Sequence, residues 1–333
     1  VTMGKPTIYT IAREAGVSTA TVSKILNHQG KISPETAQRV MEIIRRHNYV
    51  PQQRKQHGNA IGAVTFLSNN RPLASSFVAT LLNGVCREAF AHGRDIPLID
   101  GNRISRLSPE ELHCFYTANS LSGLLGINLS DSEPFYRKLR ASQLPYVLLS
   151  NAESGGNSIS TKNYESVAEM IDYILCRGHE RVAFLGMVID MFESHIQRLR
   201  AYEDTLARHG IPLRKEFVID LPNGERSTVK NALSRLLARP EPPTALFYAS
   251  EDLAVVPILK QLGVRIPEDL SVAGMAIAPP ESEGGPELST VIQPVEEIGR
   301  CGVDFLLELL EGRHPTPKVL DNLVHYGDTI RKI

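Results

Sequence analysis

Between residue 61 and the C-terminus, short apolar runs return at intervals, separated by amphipathic stretches of helical length. The runs are Ile61–Leu67, Ile96–Asp100, Gly123–Leu129, Tyr146–Ser150, Arg181–Met187, Phe217–Leu221, Thr244–Ser250 and Leu270–Met275. Apolar runs of this length read as strands buried on both faces, and such strands need helices on either side of a parallel sheet. Eight of them predict an α/β body of two doubly wound sheets, broken near Ser160, that forms two lobes with a cleft between them. Ligands of such sheets sit beyond the carboxyl ends of the strands. That rule points to Ser68–Asn70, Ser150–Asn151, Gly186 to Arg198 and Ser250–Asp252. Ser108-Pro-Glu-Glu111 is expected to open one of the helices as a capping box.

A chain of 333 residues has room for two or three domains, and its 42% hydrophobic and 22% charged residues are ordinary for a globular protein. No run approaches the roughly 18 apolar residues of a membrane span, and the opening VTMGKPTIYT has no apolar signal region, so a cytoplasmic protein without membrane contact is expected. Cys86, Cys114, Cys176 and Cys301 are scattered without a CxxC pair, which argues against a disulfide framework or a zinc site. Paired catalytic carboxylates, a P-loop and a GxSxG elbow are all missing, so the sequence predicts no enzyme, no catalytic or metal residues and no cofactor.

The net charge of −1 hides an uneven distribution. Before residue 60 there are nine Lys or Arg against three acids, a net of +6, which leaves −7 for the remainder. A basic head on an acidic body suits a head that alone meets a polyanion. Within the head, Ile11, Ala12 and Ala15 fall on one helical face. Gly16-Val17 then breaks the run, and Ser18 is placed to cap a second helix, Thr19 to Asn27, with Val22, Ile25 and Leu26 as its buried stripe. Ser33-Pro34-Glu35 starts a third helix, about Pro34 to Asn48, that buries Ala37, Val40, Met41 and Ile44. Two short helices joined by a glycine turn predict a helix-turn-helix. Its chemistry suits a major groove: Lys24 can donate to guanine, the Thr19 and Thr21 hydroxyls can reach bases or phosphates, and the Ala20 methyl can pack on thymine.

The pattern Tyr9-x-Ile11-Ala12-x-x-Ala15-Gly16-Val17-Ser18-x-x-Thr21-Val22-Ser23-Lys24-x-Leu26-Asn27, followed by Ser33 and Asn48-Tyr49-Val50-Pro51, resembles the DNA-binding head of the lactose-repressor (LacI/GalR) family. The resemblance continues through Leu175-x-x-Gly178-His179-x-Arg181, Arg198-x-x-x-Tyr202, Ala249-x-x-Asp252-x-Ala254, Ile266 to Gly274 and Ser289-Thr-x-Ile-Gln-Pro294, which look like the periplasmic-binding-protein-like core. It implies a helix-turn-helix domain at 1–50, a hinge linker at 51–60 and an effector-binding and dimerisation domain at 61–333. Lobe 1 is then expected at 61–159 and 289–318, and lobe 2 at 160–288 and 319–333. Thr19, Ala20 and Lys24 would read bases, while Tyr9, Ser18, Thr21, Ser23, Asn27, Lys31, Ser33 and Arg54 would join the DNA contacts, largely at the backbone. The implied function is a nucleoid-associated regulator, a repressor in most relatives, acting as a homodimer or tetramer on a pseudo-palindromic double-stranded operator. A small carbohydrate-related effector would control it from the cleft. A protein partner in place of the effector, or a solute-binding receptor, are the alternatives.

Two departures qualify the resemblance. The family's minor-groove leucine falls near Gly58, in a linker about three residues short, and glycine offers no wedge between base steps, so a weaker kink at the operator centre is expected. In the pocket, Arg198 is retained, but the family's Ala-Asn-Asp is Ser250-Glu251-Asp252, and its Gly-Tyr/Phe-Asp-Asp is Gly274-Met275-Ala276-Ile277. The usual aspartate before Asn163 is Lys162. Ser68, Phe77, Ser150, Lys162, Asn163, Arg198, Glu251, Asp252 and Met275 are the candidate effector residues. Lys162 with Arg198 would favour a sugar acid or sugar phosphate over a neutral sugar.

Overall fold

The computed structural model describes residues 7–26, 32–47, 58–65, 75–127, 129, 134–151, 156–186, 192–221, 224–279 and 285–333. Three helices form the head: α1 (Ile8–Ala15), α2 (Thr19–Leu26) and α3 (Pro34–Arg46). Each begins where a hydroxyl meets an orphan backbone donor: Thr7 accepts from the Thr10 amide at 3.4 Å, Ser18 from Thr21 at 3.0 Å and Ser33 from Thr36 at 3.2 Å. Gly16 ends α1 at φ +64°, the left-handed conformation that a side chain would strain. Ile11, Ala12, Ala15, Val22, Ile25, Val40, Ile43 and Ile44 make a core of the head's own. Glu14 of α1 is bonded to Arg46 at 3.1 Å and to His47, which ties α1 to the end of α3.

The body has two six-stranded sheets. In chain order its elements begin with β1 (Ala60–Thr65), α4 (Ser76–Ala91), β2 (Leu98–Asp100), α5 (Gly101–Ile104), α6 (Pro109–Ala118) and β3 (Leu121–Ile127). They continue with α7 (Pro134–Ser142), β4 (Tyr146–Leu149), β5 (Ser158–Thr161), α8 (Asn163–Cys176), β6 (Val182–Gly186) and α9 (Glu193–Arg208). Then come β7 (Val218–Asp220), α10 (Arg226–Leu237), β8 (Ala245–Tyr248), α11 (Val255–Gln261), β9 (Ser271–Ala276) and β10 (Ser289–Ile292), and last α12 (Val295–Leu310), β11 (Lys318–Leu320) and β12 (Leu323–His325). The first sheet runs β11-β5-β4-β3-β1-β2, all parallel. The second runs β12-β10-β9-β8-β6-β7, parallel except for the antiparallel edge strand β12. Each sheet is covered on both faces: α4 and α12 lie on one side of the first and α6 and α7 on the other, and the second is held between α8 with α9 and α10 with α11. The capping box at Ser108 and Glu111 forms.

Four strands have no counterpart among the eight apolar runs: β5, β10, β11 and β12. Ser158, Ser160, Thr161, Ser289 and Thr290 are all buried in β5 and β10, so these hinge-side strands are polar in composition although enclosed. Ser289, expected with lobe 1, pairs in β10 with β9 of the second sheet, and Ser160–Thr161, expected with lobe 2, pair with β11 of the first. The chain therefore crosses between lobes at Lys162, at Gln293–Pro294 and at Asp321–Asn322. The crossings are bound to one another: Lys162 N donates to the Leu320 carbonyl at 3.0 Å, and the Asn322 side chain donates to Ser166 Oγ at 2.9 Å.

Gly58 belongs to lobe 1 rather than to a DNA-facing helix. A Cβ built on it would lie 1.6 Å from the Ser120 carbonyl oxygen, and its own carbonyl accepts from Arg94 Nη1 at 3.2 Å. Residues 51–57 of the expected hinge linker, with Arg54 among them, lie outside the described residues.

Candidate nucleic-acid interface and effector cleft

On the head, α2 divides its faces sharply. Val22 and Ile25 are buried, while Ala20 and Lys24, one turn apart, are exposed, with Thr19 and Ser23 half-buried beside them. Ser18 and Thr21 share a hydroxyl contact of 2.9 Å at the start of the helix, Ser33 caps α3, and Tyr9 is 75% exposed. Exposed groups of the expected set thus line the start and outer face of α2, carried by a core that none of them enters. Asn27 and Lys31 lie outside the described residues.

In the body, Arg198 is the centre of a buried polar group. It projects from α9, is 3% exposed, and donates from Nε to Asn163 Oδ1 at 2.9 Å, from Nη1 to the Ala249 carbonyl at 2.6 Å and from Nη2 to Gln293 Oε1 at 2.8 Å. Those three acceptors come from the start of α8, the end of β8 and the crossing after β10. One guanidinium therefore staples lobe 2 to two of the three inter-lobe segments. Burial lowers the Arg198 pKa to about 10, with Glu251 opposing the shift. Burial also raises the Glu251 carboxyl, while Arg198 pulls it down. Gln293 is 1% exposed, and its Nε2 has no partner among the described residues. Arg198 uses three of its five N–H groups in these bonds.

Asp252 has a different task from its neighbour. Its carboxylate spans the cleft to the first turn of α4, where Ser75 Oγ donates at 2.7 Å, Ser76 Oγ at 2.8 Å and the Ser76 amide at 3.1 Å. A carboxylate at a helix N-terminus meets unpaired amides and the positive end of the helix dipole. The lobes are latched together at this point. Asp252→Ala removes both acceptor oxygens and all three hydrogen bonds and is expected to let the lobes separate, read as a larger radius of gyration in solution X-ray scattering of the full chain. A scattering curve identical to the wild type would mean that other contacts set the lobe spacing.

Other expected cleft residues are placed elsewhere. Lys162 is half-exposed at the first crossing and pairs with Asp321 at 2.7 Å, so it does not join Arg198 in a cationic pair. Phe77 and Met275 are buried in the apolar cores of lobe 1 and lobe 2. Ser150 caps the end of β4 with a left-handed φ of 61°, its amide donating to the Ile159 carbonyl. Ser68 lies outside the described residues. His179 is fully buried, bonded at one ring nitrogen to Thr244 Oγ1 (2.9 Å) and at the other to the Arg331 carbonyl (3.0 Å).

Residues 7–52 match the family described as bacterial regulatory proteins, lacI family, and residues 171–330 match the periplasmic binding protein-like domain. Catabolite control protein A of Priestia megaterium is 27% identical over 91% of this chain and 92% of its own length. A probable HTH-type transcriptional repressor, ExuR of Bacillus subtilis, is 29% identical over 98% and 99%. The chain carries a lacI-family helix-turn-helix domain followed by a periplasmic-binding-protein-like domain. Two solved structures share its fold over nearly the whole chain: a transcriptional regulator CelR-cellobiose complex (TM-score 0.69, 24% identity, 97% of this chain and 99% of that one) and the lac repressor dimer bound to operator and the anti-inducer ONPF (0.68, 21%, 98% and 100%).

With this pair of domains the chain is a DNA-binding transcriptional regulator and not an enzyme. No helix among the described residues is long and apolar enough to cross a membrane. Besides Ser75 and Ser76, which face Asp252, the regulator's cleft holds a polar residue that motif reading left out of the site, Gln293. Its signal was present: an amide-bearing residue directly before Pro294 at the end of a motif, in a segment that must cross between lobes. What hid it is that glutamine in an unassigned loop reads as solvated until the strand before it is known to be buried.

Proposed function

We propose that this lacI-family regulator is a repressor that works in the cytoplasm, at the nucleoid, and binds a pseudo-palindromic operator as a homodimer. A small, hydroxyl-rich, uncharged effector in the inter-lobe cleft controls its grip. The observation that carries the reading is the Arg198 group. The spare donors of Arg198 and Gln293 are buried at the point where the chain passes between lobes, so a molecule that accepts from them acts on the crossings themselves. Asn163, Arg198, Gln293 and Glu251 form the core of the site, and Asp252 acts on closure. The effector's influence on operator affinity then equals its preference for one lobe arrangement over the other.

Charge narrows the effector class. Lys162 is spent on Asp321, and Glu251 counters the buried Arg198 guanidinium, so among the described residues no cationic surplus favours a sugar acid or sugar phosphate. The CelR neighbour is a complex with cellobiose, and a neutral saccharide suits the donors and acceptors here. Calorimetry of the full chain against neutral saccharides, sugar acids and phosphosugars is the test. Binding confined to neutral compounds is expected; a phosphosugar binding more tightly overturns the assignment, and silence across the panel turns the reading to a protein partner.

In the head, Thr19, Ala20 and Lys24 are assigned to bases, with Tyr9, Ser18, Thr21, Ser23, Asn27, Lys31, Ser33 and Arg54 holding the backbone. Exposed apolar side chains on lobe 1, Phe90 at 61% and Leu98 at 46%, support an interface between copies. Lys24→Ala is expected to cost about 1–3 kcal/mol on the selected operator and to relax preference at one base pair. Binding to sites selected from a random pool measures both. Uniform weakening over all sequences would make Lys24 a backbone contact.

A further inference from the structure

Lobe 1 carries a group of side chains that neither operator binding nor the effector cleft uses. Glu88 and His92 are one turn apart on α4 and project from the same face, with His92 Nε2 3.2 Å from Glu88 Oε1. Asp304 comes from α12, which lies close against α4: a Cβ on Gly84 would sit 2.0 Å from the Glu296 carbonyl oxygen, and one on Gly299 2.3 Å from that of Leu81. One ligand atom from each of Glu88, His92 and Asp304 falls within 4.8 Å of the other two. His92 and Asp304 also border a surface cavity of about 300 Å³, whose other walls include Arg94, Glu308, Arg313 and Lys318.

The charges around this group are only loosely settled. Burial and the facing Glu88 carboxylate both push the Asp304 carboxyl up, against Arg300, Lys318 and His92. Arg300 reaches Asp304 at 3.6 Å while also lying 3.5 Å from Glu297, and Arg313 is drawn to Glu311 at 2.7 Å. Arg94 donates to the Gly58 carbonyl. Among the described residues no Lys or Arg pairs with both Glu88 and Asp304. We infer that Glu88, His92 and Asp304 form a binding site for one divalent transition-metal ion, with water from the cavity completing its shell. One imidazole nitrogen and two carboxylate oxygens suit zinc or cobalt, whereas magnesium and calcium favour oxygen donors alone. The bound ion ties the C-terminal turn of α4 to α12, close to Arg94 and so to Gly58, where the chain enters lobe 1 from the linker.

The test uses the metal-free full chain, titrated with cobalt(II) followed by visible absorption and with zinc(II) by calorimetry. One equivalent is expected, with the cobalt band and the zinc heat both lost in His92→Ala and in Glu88→Gln, and with magnesium giving no heat. Both side chains are at least partly exposed, and unchanged far-UV circular dichroism in either variant establishes that its fold is intact. Absence of saturable zinc binding, or an equivalent of zinc that both variants keep, overturns the assignment.

Discussion

Replacing Arg198 by Ala is expected to lower the stability of the body by about 3–5 kcal/mol and to abolish effector response. The size follows from what the guanidinium leaves behind. Asn163 Oδ1, the Ala249 carbonyl and Gln293 Oε1 are enclosed acceptors that would lose their donor together, and each such orphan costs about 1–3 kcal/mol. The loss is not the plain sum, because the three acceptors share one partner and relax together. Glu251, whose carboxyl Arg198 holds down, also loses its facing cation. At roughly 2–4 °C per kcal/mol for a domain of this size, the melting temperature should fall by about 10 °C. Arg198→Lys keeps the charge but presents a compact ammonium in place of a planar fork, so it should recover only part of the loss. Calorimetric melting of the full chain, beside effector-driven release from the operator, measures both effects. An Ala variant that melts like the wild type would remove Arg198 from the role of structural staple.

Operator affinity should fall by about a thousand-fold between 50 and 200 mM salt, the slope expected when six or more phosphates are neutralised and their counterions released. The head and linker, +6 together, supply the cations, and the exposed basic side chains around α2 and α3, among them Lys24, Arg39 and Arg45, are free of the head's apolar core. The net charge of −7 on the body opposes phosphate attraction, so the dependence is expected to belong to the head and linker. Fluorescence anisotropy of a labelled operator over a salt series gives the slope directly. A flat dependence would contradict phosphate contact as the main source of affinity.

The Asp252 latch bears on how such a regulator is tuned. Ser75 and Ser76 at the start of α4 hold a lobe 2 carboxylate directly, so the protein's own groups contribute to closure. An effector that binds the closed cleft then works with this latch. One that needs an open cleft must break the latch, and its apparent affinity is reduced accordingly.

Much of the architecture was legible in the chain because its determinants are local. Ser18, Gly16 and Ser33 set the head's helix boundaries through caps and a left-handed turn, and the spacing of Ile11, Val22 and Val40 marks the faces that meet in its core. The eight apolar runs correspond to β1 to β4 and β6 to β9, since a strand enclosed on both faces must be apolar to be stable there. Strands β5 and β10 escaped the same rule because they are built largely of buried serines and threonines, of which Ser289 finds its partners in a distant segment: its amide donates to Thr329 Oγ1 and its hydroxyl to the Gly327 carbonyl. The swap of strands between lobes followed from that omission.

The candidate effector residues divide along the same line. Arg198 and Asn163 meet in one buried polar group, whereas Lys162, one residue from Asn163, turns outward to Asp321, and Asp252 leaves its neighbour Glu251 to reach another lobe. Residue type and order determined that this chain has a basic helix-turn-helix head and a two-lobed α/β body, because helix periodicity, capping and strand burial act over a few residues at a time. Which charges face one another was decided only by the tertiary structure, since a side chain's partner depends on how segments as far apart as Ser76 and Asp252, or Arg198 and Gln293, are brought within 3 Å of each other.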